Sequence, residues 1–280
     1  MSDHMGLKTM YTACALTLLS GCANLSRVQI IDLAHQSGFV KEIYQFDRFP
    51  ITSLAKNNAP AEPTITVYIE GDGYAYISKS RPSSNPTPKT PVGLYLAQKD
   101  DGANIVYLGR PCQYGSAQDF KNKCDRKYWT THRFAQDVVL AYDNVLDQLK
   151  VHNSAARFNL IGFSGGANIA GLLASSRNDV DTLITVAGNV DNEFFTRFHK
   201  VSAMPYSLNM ADNAQTLSAV PQIHYIGESD RFVPIDIYRS YRAKLSSLSC
   251  TRMQIVEHTT HLERWAEAWP QLLSQKPVCQ

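Results

Sequence analysis

The run Phe158-Asn159-Leu160-Ile161-Gly162-Phe163-Ser164-Gly165-Gly166 is a short apolar segment that ends in a serine with glycines two positions away on either side. Small residues follow it, Ala167, Asn168, Ile169 and Ala170. Such a pattern closely constrains what the chain can build. A strand must turn into a helix at one residue, and the serine at the apex takes a strained backbone conformation that lifts its oxygen above a sheet edge. The glycines leave room for the neighbouring backbone. Ser164 is therefore a candidate nucleophile, and a glycine-rich turn that merely starts a helix is the plainer alternative.

The rest of the chain supplies a sheet for such a turn. Strand patterns occur at Thr64 to Ile69, Asn104 to Leu108, Phe158 to Ile161, Leu183 to Ala187, Gln222 to Ile226 and Met253 to Val256, with weaker ones at Val28 to Leu33 and Phe39 to Phe46. Helical patterns alternate with them. Thr131 to Lys150 places Phe134, Val138, Tyr142, Val145 and Leu149 on one face. Pro91 to Gln98 has Thr90 as N-cap, and Gly166 to Ser176, Ile235 to Leu248 and Leu262 to Leu273 complete the set. This alternation implies an α/β fold with a mostly parallel sheet covered on both faces. Arg81 to Pro91, with four prolines, and Val190 to Val220 read as long irregular loops. With 44% hydrophobic and 19% charged residues the 280-residue chain has a globular balance, and 27 basic against 25 acidic residues leave no footprint for nucleic acid.

A serine hydroxyl needs a base to take its proton and an acid to orient that base. Gly227-Glu228-Ser229-Asp230-Arg231-Phe232-Val233-Pro234 follows a strand, and Asp230 is the candidate acid, with Glu228 and Asp191 as fallbacks. Of eight histidines, His258 and His261 lie after the final strand. His261 is favoured over His258 because a position several residues into the loop can reach back over the serine. His224 falls inside a strand, where packing is expected. Two histidines three apart lack a third ligand nearby, so no metal is expected, and the chemistry needs no organic cofactor. Donors for a developing oxyanion are expected from the backbone of Gly165 and, in the turn Glu70-Gly71-Asp72-Gly73-Tyr74, of Asp72, with Gly73 second. Tyr74, Tyr76, Tyr114 and Phe163 lie on loops at the same rim and are candidates to line an apolar pocket.

The amino terminus bears on compartment. Lys8 precedes an apolar run from Met10 to Leu19 that is too short for a membrane span and ends in Leu19-Ser20-Gly21-Cys22. That ending resembles the lipobox of bacterial lipoprotein signals, whether the chain starts at Met1 or Met5; this implies cleavage after residue 21 and lipidation of Cys22, with an uncleaved anchor or a plain secretory signal as the alternatives. Ala23 in the next position resembles the pattern for sorting to the outer membrane. The expected organisation is a signal peptide over 1–21, a tether and first strands over 22–60, and a catalytic domain over 61–280. Four cysteines remain, Cys112, Cys124, Cys250 and Cys279. In an oxidising compartment they allow three pairings, of which proximity favours Cys112 with Cys124 and Cys250 with Cys279.

Order, spacing and context resemble the α/β-hydrolase superfamily from about Thr64 to Leu273, with the elbow at Ser164 and the order Ser164, Asp230, His261. With the lipobox, the chain is similar to a group of bacterial lipoprotein hydrolases. The strings Tyr68-Ile69-Glu70-Gly71-Asp72-Gly73, Asn85-Pro86-Thr87-Pro88 and Arg110-Pro111-Cys112-Gln113-Tyr114 also fit that group. Many esterases of the superfamily open the oxyanion loop with His and glycines, whereas this chain has Glu70-Gly71-Asp72-Gly73. The resemblance implies a lipid-anchored serine hydrolase of the cell envelope that cleaves a small-molecule or lipid ester through an acyl-enzyme. A peptidase or acyltransferase using the same residues, and a non-catalytic binding lipoprotein, are the alternatives.

Overall fold

The computed structural model describes residues 27–47, 49–57, 62–78, 80–151 and 156–280. Cys22 and the signal-like segment lie outside them. Ten strands and nine α-helices follow in chain order among the described residues: α1 (Arg27–Gln36), β1 (Val40–Phe46), β2 (Phe49–Asn57), β3 (Thr64–Ile69), β4 (Tyr76–Ser78), β5 (Arg81–Pro82), α2 (Val92–Gln98), β6 (Asn104–Leu108), α3 (Ala117–Asn122), α4 (Gln136–Leu149), β7 (Arg157–Phe163), α5 (Gly165–Ser176), β8 (Val180–Val186), α6 (Asn192–His199), α7 (Ala214–Leu217), β9 (Gln222–Gly227), α8 (Ile235–Arg242), β10 (Thr251–Val256) and α9 (Trp265–Leu273).

Eight strands form one sheet in the order β1-β2-β6-β3-β7-β8-β9-β10. The pairs β1/β2 and β2/β6 are antiparallel, and every pair from β6 to β10 is parallel. The first two strands thus belong to the same sheet as those after residue 60. Strand alternation divides the core in two. Val67, Val106, Leu108, Phe158 and Leu160 pack on the side covered by α4, α5 and α8. Tyr68, Ile105, Tyr107, Ile161 and Phe163 face α1, α2 and α9. Residues alternate in this way because successive side chains of a strand point to opposite faces, and each fully buried aliphatic or aromatic side chain stabilises by about 1.5–3 kcal/mol.

The loops after β3, β6, β7, β8, β9 and β10 all leave the carboxyl edge of the parallel strands. The chain crosses from β3 to β6 through α2 on one face and from β7 to β8 through α5 on the other. Adjacent strands whose connections diverge leave a crevice at that edge. The loops of Glu70 and Ser164 meet there.

Three sequence expectations are corrected, and one strand is added for which the sequence carried none. Val28 to Leu33, read as a strand, lies in helix α1: the buried positions Ile30 and Ala34 are four apart, a helical rather than an alternating spacing. The segment Phe49–Asn57 is a strand that its pattern hid behind Pro50. Pro50 is tolerated because β2 meets β6 only from Ser53 onward. The stretch Val190 to Val220 is not irregular throughout, since it holds α6, a 3-10 turn at Met210–Asn213 and α7. At α2 the N-cap is Pro91 rather than Thr90, a shift of one residue.

Candidate active site

Ser164 sits between β7 and α5 with φ 50° and ψ −119°, a conformation costly for a residue with a Cβ. Its backbone is held on both sides. The Ser164 amide donates to the Val186 carbonyl at 3.0 Å, and the amides of Ala167 and Asn189 donate to the Ser164 carbonyl at 3.1 and 2.9 Å. The turn needs glycine at 166, because a Cβ there would lie 2.2 Å from the Ile69 carbonyl oxygen. The sharp turn is thus wedged against the loop that leaves β3.

His261 Nδ1 donates to Asp230 Oδ2 at 2.8 Å, and His261 Nε2 lies 3.0 Å from Ser164 Oγ. A proton on Nδ1, facing the carboxylate, leaves Nε2 as the acceptor for the serine hydroxyl. Asp230 is fixed independently of the histidine: its Oδ1 accepts the amides of Phe232 and Val233, each at 2.8 Å. Burial opposes its ionisation, but His261 and those two amides outweigh burial and hold the carboxyl below its ordinary value. The imidazole ring is flanked by Phe163 at 5.3 Å and Phe232 at 4.8 Å.

The loop after β3 borders Ser164 and is fastened at three points. Glu70 is fully buried and its carboxylate accepts the amides of Gly71, Gly93 and Leu94 and the Tyr107 hydroxyl. Gln113 Nε2 donates to the Gly71 carbonyl at 3.0 Å while its Oε1 accepts the Arg110 amide at 2.9 Å. The Asp72 carboxylate pairs with Arg110 at 2.9 Å and with Arg133 at 2.5 Å, and Arg110 also donates to the Arg133 carbonyl. Burial disfavours the charge on Asp72, but the two guanidiniums more than offset it and lower its pKa. A lone carboxylate beside Gly165 would repel a developing oxyanion; the cluster of one acid and two arginines instead carries net positive charge. Gly165 opens α5, so its amide has no acceptor within the helix, and among the described residues nothing accepts from the Asp72 amide.

The other candidates stand elsewhere. Asp191 is buried, caps α6 through the Phe194 amide and binds Ser240 and Lys244; Glu228 accepts the His258 amide. His258 and Glu228 are exposed, and neither joins Ser164. His224 is buried between Thr185 and Gln222, and burial lowers its pKa to about 3. Tyr114 bonds Tyr107, Tyr74 lies under Lys89, and Tyr76 lies under Arg133, so these rings pack against the loops. Cys112 pairs with Cys124 and Cys250 with Cys279. Arg133 was not singled out from sequence, and Arg110 and Gln113 stood only in the string Arg110-Pro111-Cys112-Gln113-Tyr114, with no role in the site assigned to either. Among the described residues no three His, Cys, Asp or Glu side chains converge to hold a metal.

The profile of the FSH1 serine hydrolase family matches residues 95–261, more than half of the chain. This chain belongs to the FSH1 serine hydrolase family. The match runs from α2 through Ser164 and Asp230 and ends at His261. Among solved structures the chain is similar to an α/β serine hydrolase homologue from Coxiella burnetii, with 17% identity over 84% of this chain and 94% of that one and a TM-score of 0.57. It is also similar to a membrane phospholipase A that is a bacterial virulence factor (15% identity, 88% and 89% covered, TM-score 0.56). A Pyrococcus furiosus esterase is a further likeness (14% identity, 85% and 90% covered, TM-score 0.56). At these identities the likeness is one of fold, and the fold is that of the α/β hydrolases. No curated protein sequence matches the chain. The chain is therefore a serine hydrolase built on a mostly parallel α/β-hydrolase sheet.

Proposed function

We propose that this serine hydrolase cleaves carboxylic esters through an acyl-enzyme formed on Ser164. The observation that carries the reading is the unbroken hydrogen-bonded line from Asp230 Oδ2 through both nitrogens of His261 to Ser164 Oγ. His261 Nε2 takes the hydroxyl proton as Ser164 Oγ attacks the acyl carbonyl carbon, and Asp230 stabilises the imidazolium that results. The carbonyl oxygen becomes an oxyanion between the amides of Gly165 and Asp72. Collapse of the tetrahedral intermediate breaks the bond to the alcohol oxygen, which receives the proton from His261. Water, deprotonated in turn by His261, releases the acid and restores Ser164.

Neighbours named as an esterase and a phospholipase A support ester over amide chemistry. An acylaminoacyl peptidase from Pyrococcus horikoshii shares the fold too, which keeps amide cleavage as the second reading. The test is a matched set of p-nitrophenyl esters and p-nitroanilides, run with and without an added alcohol. Ester turnover far above anilide turnover, with free acid as product, is expected. Faster anilide cleavage, or transfer to the alcohol as the main route, contradicts it.

We further propose that the enzyme belongs to a bacterial envelope, anchored at the outer membrane by lipid on Cys22 and facing the periplasm or the exterior. The lipobox-like Leu19-Ser20-Gly21-Cys22 and the two disulfides, which persist in oxidising compartments, support this. Metabolic labelling with an alkyne fatty acid checks it: label that disappears in Cys22→Ala is expected, and an unlabelled native protein contradicts the anchor.

A further inference from the structure

The base that accepts the serine proton is also the acid that protonates the departing group, so the leaving oxygen of a bound ester must come within hydrogen-bond reach of His261 Nε2. Whatever the alcohol carries therefore extends over the surface next to His261. This step rests on the ester reading above.

The surface is aromatic. Phe232 lies 4.8 Å from the His261 ring and is 53% exposed. Phe232 meets Phe195 at 5.4 Å and stacks on His199 at 5.9 Å; His199 meets Phe198 at 5.1 Å, and Phe198 is 45% exposed. Leu262, next in the chain after His261, is 47% exposed. The strip is built rather than loose: His199 Nε2 donates to the Phe232 carbonyl at 2.8 Å, which ties α6 to the turn that carries Asp230. The oxyanion flank is opposite in character, with Asp72, Arg110 and Arg133 against Gly165. Exposed aromatic side chains that continue directly from the ring of a general acid offer apolar area to a departing chain where water would otherwise stand.

We propose that the strip of Phe232, His199 and Phe198 beside His261, backed from the core by the buried Phe195, is the subsite for the alcohol part of the substrate, and that this alcohol is apolar, a medium or long alkyl chain or an aryl group. The acyl part lies away from the strip. Selectivity between esters of one acid is set by these residues, and selectivity between acids is set elsewhere. A surface for lipid bilayers is the competing use of the same strip, and the experiment separates the two.

The experiment uses the oxidised protein, with Phe232→Ala, Phe198→Ala and Phe232→Leu. One ester series runs from methyl to octyl acetate, kept below micelle concentration; the other runs from p-nitrophenyl acetate to octanoate. In each alanine variant the ratio of kcat/KM for octyl over methyl acetate is expected to fall about tenfold, the scale of a lost apolar contact at a hydrophobic subsite. Phe232→Leu restores most of it. The ratio across the acyl series keeps its wild-type value, and the loss resides in the acylation rate. Phe198, half exposed on the surface of α6, keeps the test interpretable if Phe232→Ala fails to fold. An unchanged alcohol ratio in Phe198→Ala, a shift in the acyl ratio instead, or a loss seen only with vesicle-bound esters overturns the proposal. No turnover of any ester by the wild-type protein is a different result, because it removes the ester reading itself.

Discussion

Asp72 Oδ1 lies 2.2 Å from the point that a Cβ on Gly165 would occupy. The carboxylate cannot retreat cheaply, since Arg110 and Arg133 hold both its oxygens. Gly165→Ala therefore displaces the loop of residues 70–74 from Ser164 and misplaces an oxyanion donor. A fall in kcat of about 10²–10³ is expected, the range for a lost donor of this kind. Steady-state kinetics with a thermal melt check it; unchanged kcat would mean that Asp72 does not shape the site.

Arg133 tests the charge balance beside the same glycine. Removing it leaves the Asp72 carboxylate with Arg110 alone, and the net positive charge near the oxyanion disappears. Arg133→Ala is expected to lower kcat by at least about tenfold with a smaller effect on KM, because the lost interaction is strongest in the transition state. Equal loss in an Asp72→Asn, Arg133→Ala double variant, where Arg110 alone restores the net positive charge, would argue against this electrostatic role.

The two disulfides differ in what they support. Cys112–Cys124 closes a short loop next to Gln113, whose side chain holds the Gly71 carbonyl. Cys250–Cys279 ties the start of β10 to the carboxyl terminus, at the amino edge of the sheet. Each stabilises by about 3–4 kcal/mol in the chain-entropy picture. Replacing Cys112 and Cys124 with serine is expected to lower both Tm and kcat, and replacing Cys250 and Cys279 to lower Tm alone. Differential scanning calorimetry beside kinetics on the two pairs decides this.

Glu70 sets a pH dependence of stability. Burial raises its pKa to about 7, against the pull of the Gly71 and Gly93 amides, the Tyr107 hydroxyl and the Leu94 amide. In the unfolded chain the same carboxyl titrates near 4.5. Between those values the folded state binds more protons, so stability falls as pH rises through that window; the contribution is complete below the lower value and gone above the higher one. Chemical denaturation at pH 5 and pH 8 should show a loss of about 2–3 kcal/mol in wild type that is absent in Glu70→Gln. The lowered carboxyls of Asp72 and Asp230 act below this range and in the opposite sense.

The residues of the elbow and its partners were legible in sequence because local rules place them. Ser164 is announced by its glycines, and Asp230 and His261 by their positions just past successive strands. The residues that fasten the loop after β3 were not legible in their roles. Glu70, Arg110, Gln113 and Arg133 converge from three loops, and no spacing between residues 70, 110 and 133 records that meeting. The aromatic strip was hidden for another reason: Phe195 and Phe198 sit in a stretch whose polar composition masked α6. At the amino end, a short apolar run from Val28 to Leu33 was ambiguous between strand and helix, and only packing against the sheet settled it as α1.

Fluorophosphonate labelling of the oxidised protein, followed by mass spectrometry of the adduct, tests the assignment of Ser164 most directly. A stoichiometric adduct on Ser164 is expected, absent in Ser164→Ala, slowed by about 10³-fold or more in His261→Ala and unaffected in His258→Ala. A folded, oxidised wild-type protein that stays unlabelled, or labelling that persists in Ser164→Ala, would contradict it.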